Sequence, residues 1–384
     1  MKILMLNLFY PPYQGGTEKH LREVCTRLVK KNFEVTVLSS ALPYARTREE
    51  VVNGVRLVRS PGIVLNKTPV PIPPPVPLNP THLFDLHREA KNADVVHIHN
   101  RFAYNLLDLF LVKKILHGKK LSLTLHNARP QGIDLVTDFF GGAYDDLFVS
   151  SLFKNCDRIG GVSQNTLDIT LPKKLKYKTQ VIYNGVDVKK YNPKNKPGSK
   201  KELFGDKMIL TVCRLMEQKG LKYLLNAFKR VLADEPKAML VIVGRGPLLD
   251  HLRNEAKQLG VESRVFFEPR QLAEEELLEY YSACKVFALP SLWEPFGMVF
   301  VEAMAHGKPV VGTKIGGIPE IVSSDSGFLV PPRDHVILAE RILELLSDNS
   351  LNKKMGYAAR RVVEKKFTWD NTADSYKRFY SYFE

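Results

Sequence analysis

The chain has 384 residues, of which 44% are hydrophobic and 25% charged, a composition that is typical of a folded protein and excludes a disordered or fibrous one. Its formal net charge is +15, and residues 1–190 hold most of the surplus, with 27 Lys and Arg against 16 Asp and Glu. Such a surplus either attracts an acidic partner or forms a basic, solvated surface. Four cysteines without a C-x-x-C pair, and the lack of an export signal or a long apolar run, exclude a disulfide-rich, secreted or membrane-embedded protein.

Strands and helices alternate from the start of the chain. The hydrophobic periodicity predicts a strand at 3–8, a helix at 17–31 and a strand at 34–38. The loop before that helix contains Gly15 and Gly16, whose bare backbones let a ligand approach closely. Residues 69–80 contain seven prolines and are predicted to run as an extended excursion, because proline suits neither a helix nor a central strand.

Two further predicted strands of the first half end in histidine. His97 and His99 share one face of the strand 93–99, where a buried, hydrogen-bonded pair is expected. His126 ends the next strand at the edge that faces the ligand crevice of an open α/β sheet, so it is predicted to meet a substrate. Asn184 follows the last strand predicted for this sheet.

A second alternation follows residues 191–201, where prolines and lysines predict a linker. Arg214 and Lys219 flank its first strand-to-helix loop, where two fixed cations can bind a diphosphate and stabilise its charge as it leaves. Gly244 opens a Gly-x-Gly loop after the next strand. Leu249 replaces the third glycine of a dinucleotide fingerprint there, so NAD binding is not expected.

Residues 289–302 are the most informative stretch, because two carboxylates flank a backbone turn there. The stretch is predicted to begin at the end of a strand, to continue as a loop and to end in a helix. Glu294 would lie in the loop and Glu302 about one turn into the helix. Both carboxylates could accept paired hydrogen bonds from vicinal sugar hydroxyls. Free backbone N–H groups at the helix start would form an anion site for a diphosphate, at Gly297, Met298 and Val299. The stretch predicts a nucleotide-sugar site.

The elements together predict an α/β protein with two doubly wound Rossmann-like domains that face each other across a cleft. This set of residues resembles the retaining glycosyltransferases of family 4, also called group 1, which have the GT-B fold. The resemblance covers nearly the whole chain, and its most specific motif is the pair of glutamates separated by seven residues, Glu294 and Glu302. It implies transfer of a hexose from a nucleoside-diphosphate sugar, such as a UDP-sugar or GDP-mannose, to a lipid-linked or other glycan acceptor.

The resemblance also implies roles for single residues. Glu302 would hold the ribose hydroxyls and Glu294 the transferred sugar, Gly16 would approach the phosphates from the opposite domain, and His126 would contact the sugar near the reacting carbon. The residues expected to act in catalysis are His126, Arg214, Lys219 and Glu294. The residues expected to bind the donor are Gly15, Gly16, Asn184, Arg214, Lys219, Gly244, Arg270, Glu294, Phe296, Gly297, Met298, Val299 and Glu302.

The family fold further implies a domain plan. An N-terminal acceptor-binding domain is expected at 1–190, a linker at 191–201, a nucleotide-sugar-binding domain at 202–367 and a helix that crosses back to the first domain at 368–384. Because Glu294 binds the sugar in the family, no obvious nucleophile remains, and front-face transfer is expected. The chain contains no Asp-x-Asp, so neither a metal ion nor a cofactor is expected beside the nucleotide-sugar co-substrate.

Two functions of other classes were weighed against this one. The first is a non-catalytic nucleotide- or phosphate-binding protein of the same fold. The second is a basic nucleic-acid-binding protein, prompted by the charge of +15, but an aromatic platform or recognisable nucleic-acid-binding motif is lacking and no nucleic acid is expected. The composition instead predicts a cytoplasmic protein, peripheral to an anionic inner membrane face that would present a lipid-linked acceptor.

Overall fold

The structure is a computed structural model that describes residues 1–13, 15–41, 47–65, 76–100, 116, 118–129, 139, 142 and 149–384. The chain folds as two compact units. The first comprises residues 1–129, 138–184 and 369–384, and the second comprises residues 130–137 and 185–368. Each described unit is built on a mainly parallel sheet, which confirms the prediction of two Rossmann-like α/β domains.

Ten strands lie in the described part of the first unit. In chain order they are β1 (Lys2–Leu6), β2 (Glu34–Ser40), β3 (Glu49–Val52), β4 (Val55–Ser60), β5 (Ile63–Leu65), β6 (Val76–Leu78), β7 (Val95–His99), β8 (Lys120–Leu125), β9 (Arg158–Gly161) and β10 (Thr179–Val181). Eight of them form one sheet in the order β10-β9-β8-β7-β1-β2-β4-β3, in which only β3 and β4 pair antiparallel. β1, β7 and β8 are buried on both faces. β1 is apolar after Lys2, whereas buried polar residues interrupt the other two strands, His97 and His99 in β7 and Ser122 and Thr124 in β8.

The proline-rich excursion falls largely outside the described residues, which omit 66–75. At its far end β6 pairs antiparallel with β5, and the two strands form a small sheet of their own. Proline is tolerated there because such a two-stranded sheet consists of edge strands only.

Six parallel strands form the sheet of the second unit. They are β11 (Met208–Val212), β12 (Met239–Val243), β13 (Val265–Glu268), β14 (Val286–Leu289), β15 (Val310–Thr313) and β16 (Gly327–Val330). Their order is β13-β12-β11-β14-β15-β16, so the direction in which strands are added reverses between β11 and β14. Ligands of open α/β sheets bind outside the carboxyl ends of the strands at such a reversal. The loops after β11 and β14 are therefore where a ligand is expected.

Helices cover the faces of both sheets. Among the described residues the α-helices are α1 (Gly16–Lys30), α2 (His82–Lys91), α3 (Ser150–Asn155), α4 (Gln164–Thr170), α5 (Lys200–Phe204), α6 (Leu221–Asp234), α7 (Leu249–Gln258), α8 (Glu274–Ala283), α9 (Met298–Ala305), α10 (Ile318–Ile321), α11 (His335–Ser347), α12 (Asn349–Lys366) and α13 (Trp369–Tyr380). In the described part of the chain, no helix combines the length and the apolar character that crossing a membrane requires.

The segment predicted as a linker, 191–201, lies inside the second unit. Tyr191 is only 1% exposed and its hydroxyl donates to a carboxylate oxygen of Glu274 at 2.9 Å, while α5 begins at Lys200. Buried packing of this kind cannot be read from prolines and lysines, which only indicate that the backbone is irregular. The chain passes from the first unit to the second after Asn184, before the boundary predicted at residue 190.

The last helix, α13, belongs to the first unit. The Thr372 hydroxyl donates to the carbonyl of Tyr183 at 2.9 Å, and the Gln180 side chain donates to the carbonyl of Ser375 at 3.0 Å. The aromatic face of the helix, including Trp369, is buried. These two bonds join the helix to β10 and to the residues that follow it.

Candidate active site

The loop after β11 and the loop after β14 are joined where the strand order reverses. The N–H groups of Leu292 and Trp293 donate to the carbonyl of Gln218, at 2.8 and 3.3 Å. Gly220 has a φ of +63°, and a Cβ there would lie 2.2 Å from the carbonyl oxygen of Pro290. Only glycine allows both that conformation and that approach. The two loops therefore form one fixed floor at the carboxyl end of the sheet.

This floor places Lys219 against Glu294. The Lys219 Nζ lies 2.7 Å from the Glu294 Oε2, and the two side chains are only 14% and 11% exposed. Arg214, in the same loop as Lys219, is exposed and has no side-chain partner in the part of the chain that the structure describes. The site thus holds one cation that is paired with a carboxylate and one that is available to an anion.

The N-terminus of α9 provides backbone donors beside this ion pair. Gly297, which precedes the helix, has a φ of +105°, and a Cβ on it would lie 2.9 Å from Phe300 Cδ2. The N–H groups of Gly297, Met298 and Val299 precede the first helical hydrogen bond, in which Phe300 donates to the Gly297 carbonyl at 3.0 Å. Free N–H groups and the helix dipole together favour an anion here.

A buried tyrosine of the same unit donates a hydrogen bond to Glu302. Glu302 is 7% exposed, and its Oε2 accepts a hydrogen bond from the Tyr281 hydroxyl at 2.9 Å. Burial, with Glu302 as the next contributor, raises the pKa of Tyr281 well above its ordinary value, so this phenol remains a donor. A carboxylate offers about four lone-pair positions. Glu302 can therefore accept bonds from a ligand while Tyr281 fixes its orientation.

Arg270 lies on the loop after β13 and forms ion pairs with two carboxylates. Its guanidinium donates to both oxygens of Glu268, at 2.9 and 2.6 Å, and to Glu276 at 2.9 Å. The hydrogen bonds from Arg270 hold the pKa of Glu268 below its ordinary value. The neighbouring loop is tied in as well, because the Gly244 N–H donates to the Glu268 carbonyl at 2.9 Å. Arg270 thus lies in the loop after β13, and protein carboxylates balance its charge; its contact with the donor stays a prediction.

Phe296 lies beneath the site. The side chain is 3% exposed, and its ring packs edge-on against Phe367 with the centroids 5.9 Å apart. An apolar ring in this loop is stabilised by burial rather than by contact with a polar ligand. Phe296 was predicted among the donor-binding residues, but its buried ring supports the loop between Glu294 and Gly297.

The predicted site residues of the first unit lie around α1. Gly15 precedes this helix, and a Cβ on Gly16 would meet no atom within 4 Å, so the backbone there is open. His126 follows β8, and its Nε2 lies 3.0 Å from the Nδ1 of a histidine on β7, His99. Asn184, at the end of the sheet, has its Oδ1 2.6 Å from the Nδ1 of a histidine on α1, His20.

His20 is a residue that sequence analysis missed. It is 1% exposed, and its ring lies edge-on against the ring of His126 with the centroids 4.6 Å apart. One signal was present, because His20, Val24 and Leu28 share the i, i+4, i+8 stripe that faces the core. A polar residue on a buried stripe requires a hydrogen-bonding partner. That partner, Asn184, is 164 residues away and could not be found by spacing.

Three of these histidines offer ligand atoms within 4.8 Å of one another, which is the arrangement of a candidate metal site. Burial lowers the pKa of His20 to about 4 and the pKa values of His99 and His126 well below the ordinary value, so all three rings are neutral. Both nitrogens of His20 already contact Asn184 and Tyr376, and both nitrogens of His99 contact His126 and the Met5 sulfur. The cluster is therefore assigned to hydrogen bonding.

Comparison with known proteins matches both halves of the chain. The family described as "Glycosyltransferase Family 4" matches residues 14–190, and the family described as "Glycosyl transferases group 1" matches residues 194–362. Among curated relatives, an uncharacterised glycosyltransferase of Methanocaldococcus jannaschii is 29% identical, over 97% of this chain and 96% of its own length. N-acetyl-alpha-D-glucosaminyl L-malate synthase of Bacillus anthracis is 26% identical, over 96% of this chain and 94% of its own.

Among solved structures, HepE of Anabaena in complex with UDP and glucose superimposes with a TM-score of 0.77. The two sequences are 21% identical, and the match covers 99% of each chain. At this level of identity the likeness shows the fold.

Proposed function

Because this chain belongs to the group 1 glycosyltransferases of family 4, which have the GT-B fold, we propose that it transfers a hexose from a nucleoside-diphosphate sugar to an acceptor hydroxyl with retention of anomeric configuration. The observation that carries the proposal is the ion pair between Lys219 and Glu294 at the reversal of the strand order. A cation suited to a diphosphate and a carboxylate suited to sugar hydroxyls are adjacent there. The UDP and glucose held by the HepE structure support a UDP-sugar as the donor, with GDP-mannose as the other candidate.

Each part of the donor has a partner in this proposal. Glu302, oriented by Tyr281, accepts hydrogen bonds from the ribose hydroxyls. The first N–H groups of α9 hold the diphosphate, together with Arg214 and Lys219. When the diphosphate binds, Lys219 exchanges a carboxylate for a phosphate, and Glu294 is released to accept hydrogen bonds from the hexose. The resemblance adds contacts of Gly16, Asn184 and His126 with the donor, which stay predictions.

Transfer then proceeds on the face of the sugar from which the diphosphate leaves. The bond between the anomeric carbon and the phosphate oxygen breaks, the acceptor oxygen bonds to that carbon, and the acceptor proton passes to the leaving phosphate. Lys219 and Arg214 stabilise the negative charge that develops on the diphosphate. Because these cations and the helix N-terminus supply the positive charge, the proposed reaction needs no metal ion and no cofactor. Burial and the neighbouring histidines lower the pKa of His126, so its ring is neutral, and the contact with the sugar that the resemblance implies would be a hydrogen bond.

The acceptor is proposed to be anionic, as a lipid-linked glycan at an anionic membrane surface would be. Support comes from the basic first half of the chain and from malate, a dicarboxylate, in the name of a relative. Burial and hydrogen bonding reduce the number of lysines in the first half of the chain that could bind an anionic acceptor. Lys178 is 5% exposed and donates to backbone carbonyls, as Lys119 does, whereas Lys173 and Lys174 are exposed. Another basic pair, Lys113 and Lys114, lies outside the described residues.

The proposal is tested by following sugar release and transfer from UDP-glucose and GDP-mannose by proton NMR, with and without EDTA. Both donors carry an α-linked hexose as the substrate, so the first product formed is expected to have the α configuration, at a rate that EDTA leaves unchanged. A β-configured first product would exclude front-face transfer, and loss of the reaction in EDTA would exclude a metal-independent one.

A further inference from the structure

The ion pair between Lys219 and Glu294 joins the cation proposed for the diphosphate to the carboxylate proposed for the hexose. The Lys219 Nζ lies 2.7 Å from the Glu294 Oε2, and both side chains are largely buried. Neither side chain has another hydrogen-bond or ion-pair partner among the described residues. A carboxylate that accepts paired hydrogen bonds from vicinal hydroxyls uses both of its oxygens. While Lys219 occupies Oε2, Glu294 therefore cannot bind a hexose in this way.

The backbone is fixed on both sides of this ion pair. The Gly317 N–H donates to the Glu294 carbonyl at 3.0 Å, and a Cβ on Gly316, whose φ is +55°, would lie 2.0 Å from the same carbonyl oxygen. The carbonyl of Gln218, next to Lys219, accepts hydrogen bonds from the loop that carries Glu294. The ion pair therefore opens by movement of side chains. The four-carbon stem of lysine is flexible, so Lys219 can exchange one anion for another.

The connectivity of a nucleotide sugar identifies the anion that replaces Glu294. The hexose is bonded to the β-phosphate, and the ribose is bonded to the α-phosphate. If Glu294 binds the hexose, the phosphate nearest to Lys219 is the β-phosphate, because the Nζ lies one hydrogen bond from that carboxylate. A carboxylate and a phosphate beside one ammonium group repel each other, so each weakens the binding of the other. A nucleoside monophosphate lacks the β-phosphate and should leave the ion pair intact.

We propose that this ion pair couples the binding of the diphosphate to the binding of the hexose: Glu294 competes with the β-phosphate for Lys219, and it accepts hydrogen bonds from the hexose only after the β-phosphate has replaced it. The inference rests on the proposed function and adds the regulation of that site. Coupling between two ligands is reciprocal, so a nucleoside diphosphate and a free hexose each raise the affinity for the other by the same factor. The ion pair keeps a free hexose from binding when no nucleotide is present.

The competition is tested without a hexose, by calorimetry with UDP, UMP, GDP and GMP. Glu294→Gln removes the competing charge and keeps the size of the side chain, so it is expected to bind the preferred diphosphate about tenfold more tightly than the wild type does, with an unchanged affinity for the monophosphate. Glu217→Gln is the matched control and should cause no gain, because Glu217 is an exposed carboxylate of the same loop, two residues before Lys219. In a Lys219→Ala background the gain from Glu294→Gln should disappear.

The reciprocal coupling is measured on the wild type, so it does not depend on the folding of a variant. Saturating glucose should raise the affinity for UDP about tenfold, or saturating mannose the affinity for GDP, and neither hexose should alter the affinity for the monophosphate. A diphosphate affinity that the hexose leaves unchanged would overturn the inference and leave the proposed function intact. The same holds for a gain in Glu294→Gln that Glu217→Gln or the monophosphate reproduces. A folded wild-type protein that binds neither UDP nor GDP would overturn the proposed function as well.

Discussion

Lys219→Ala is expected to lower the turnover of the nucleotide sugar by a factor of about 10² to 10³, because the variant lacks a fixed cation at the diphosphate as negative charge builds on it. The geometry supports a large effect. Lys219 is 14% exposed and its Nζ is held 2.7 Å from Glu294, so little water is available to replace its charge. The kcat should fall by a larger factor than the affinity for the hexose moiety of the donor, because Glu294, which is proposed to bind that moiety, remains.

The protein should stay folded in this variant. Glu294 loses its charged partner, which is expected to lower the free energy of unfolding by about 1–3 kcal/mol, out of the roughly 5–15 kcal/mol that folded proteins have. Lys222→Ala is the matched control, because Lys222 lies one turn further along, on α6, and is exposed. Full activity in Lys219→Ala, or an equal loss in Lys222→Ala, would contradict the role assigned to Lys219.

Glu302→Gln is expected to weaken binding of the nucleoside diphosphate by about tenfold to a hundredfold, because ribose hydroxyls would lose a charged acceptor. Calorimetry with a nucleotide and its 2′,3′-dideoxy analogue identifies the contact directly. The wild type should bind the dideoxy analogue much more weakly than the parent nucleotide. Glu302→Gln should discriminate far less between the two, since the acceptor of both hydroxyls has been changed.

A structural explanation for Glu302 makes a different prediction, and Tyr281→Phe separates the two. That variant removes the hydroxyl 2.9 Å from Glu302 and keeps the carboxylate. If Glu302 binds ribose, Tyr281→Phe should retain the preference for the parent nucleotide over the dideoxy analogue. If Glu302 serves only to satisfy Tyr281, both variants should lose stability and neither should alter the preference.

The sheets and the order of elements could be predicted because a strand buried on both faces has a plain sequence signature. β11, β12 and β14 are almost wholly apolar, and Gly244 follows β12 as Pro290 follows β14, so the alternation with helices was visible. The two glutamates were visible for a different reason. Glu294 lies in the loop and Glu302 about one turn into the following helix, so both positions could be predicted from residues 289–302 alone.

The contacts that build the site could not be predicted, because they join residues that are distant in sequence. Lys219 and Glu294 are 75 residues apart, and their pairing depends on β14 lying next to β11. The buried ring of Phe296 packs against Phe367, a residue distant in sequence that directly follows α12. Local spacing fixes which loop a residue occupies, whereas tertiary packing decides whether its side chain faces the ligand or the core.

The most direct measurement is a thermal-shift panel of the wild-type chain with UDP, GDP, ADP, CDP and NAD, each with and without EDTA. A ligand at about 100 times its dissociation constant adds roughly 2.7 kcal/mol to the free energy of unfolding, which gives a clear shift. We predict stabilisation by one nucleoside diphosphate, UDP or GDP, that EDTA does not alter, and none by NAD. A well-folded sample that none of the nucleoside diphosphates stabilises would contradict the nucleotide-sugar site.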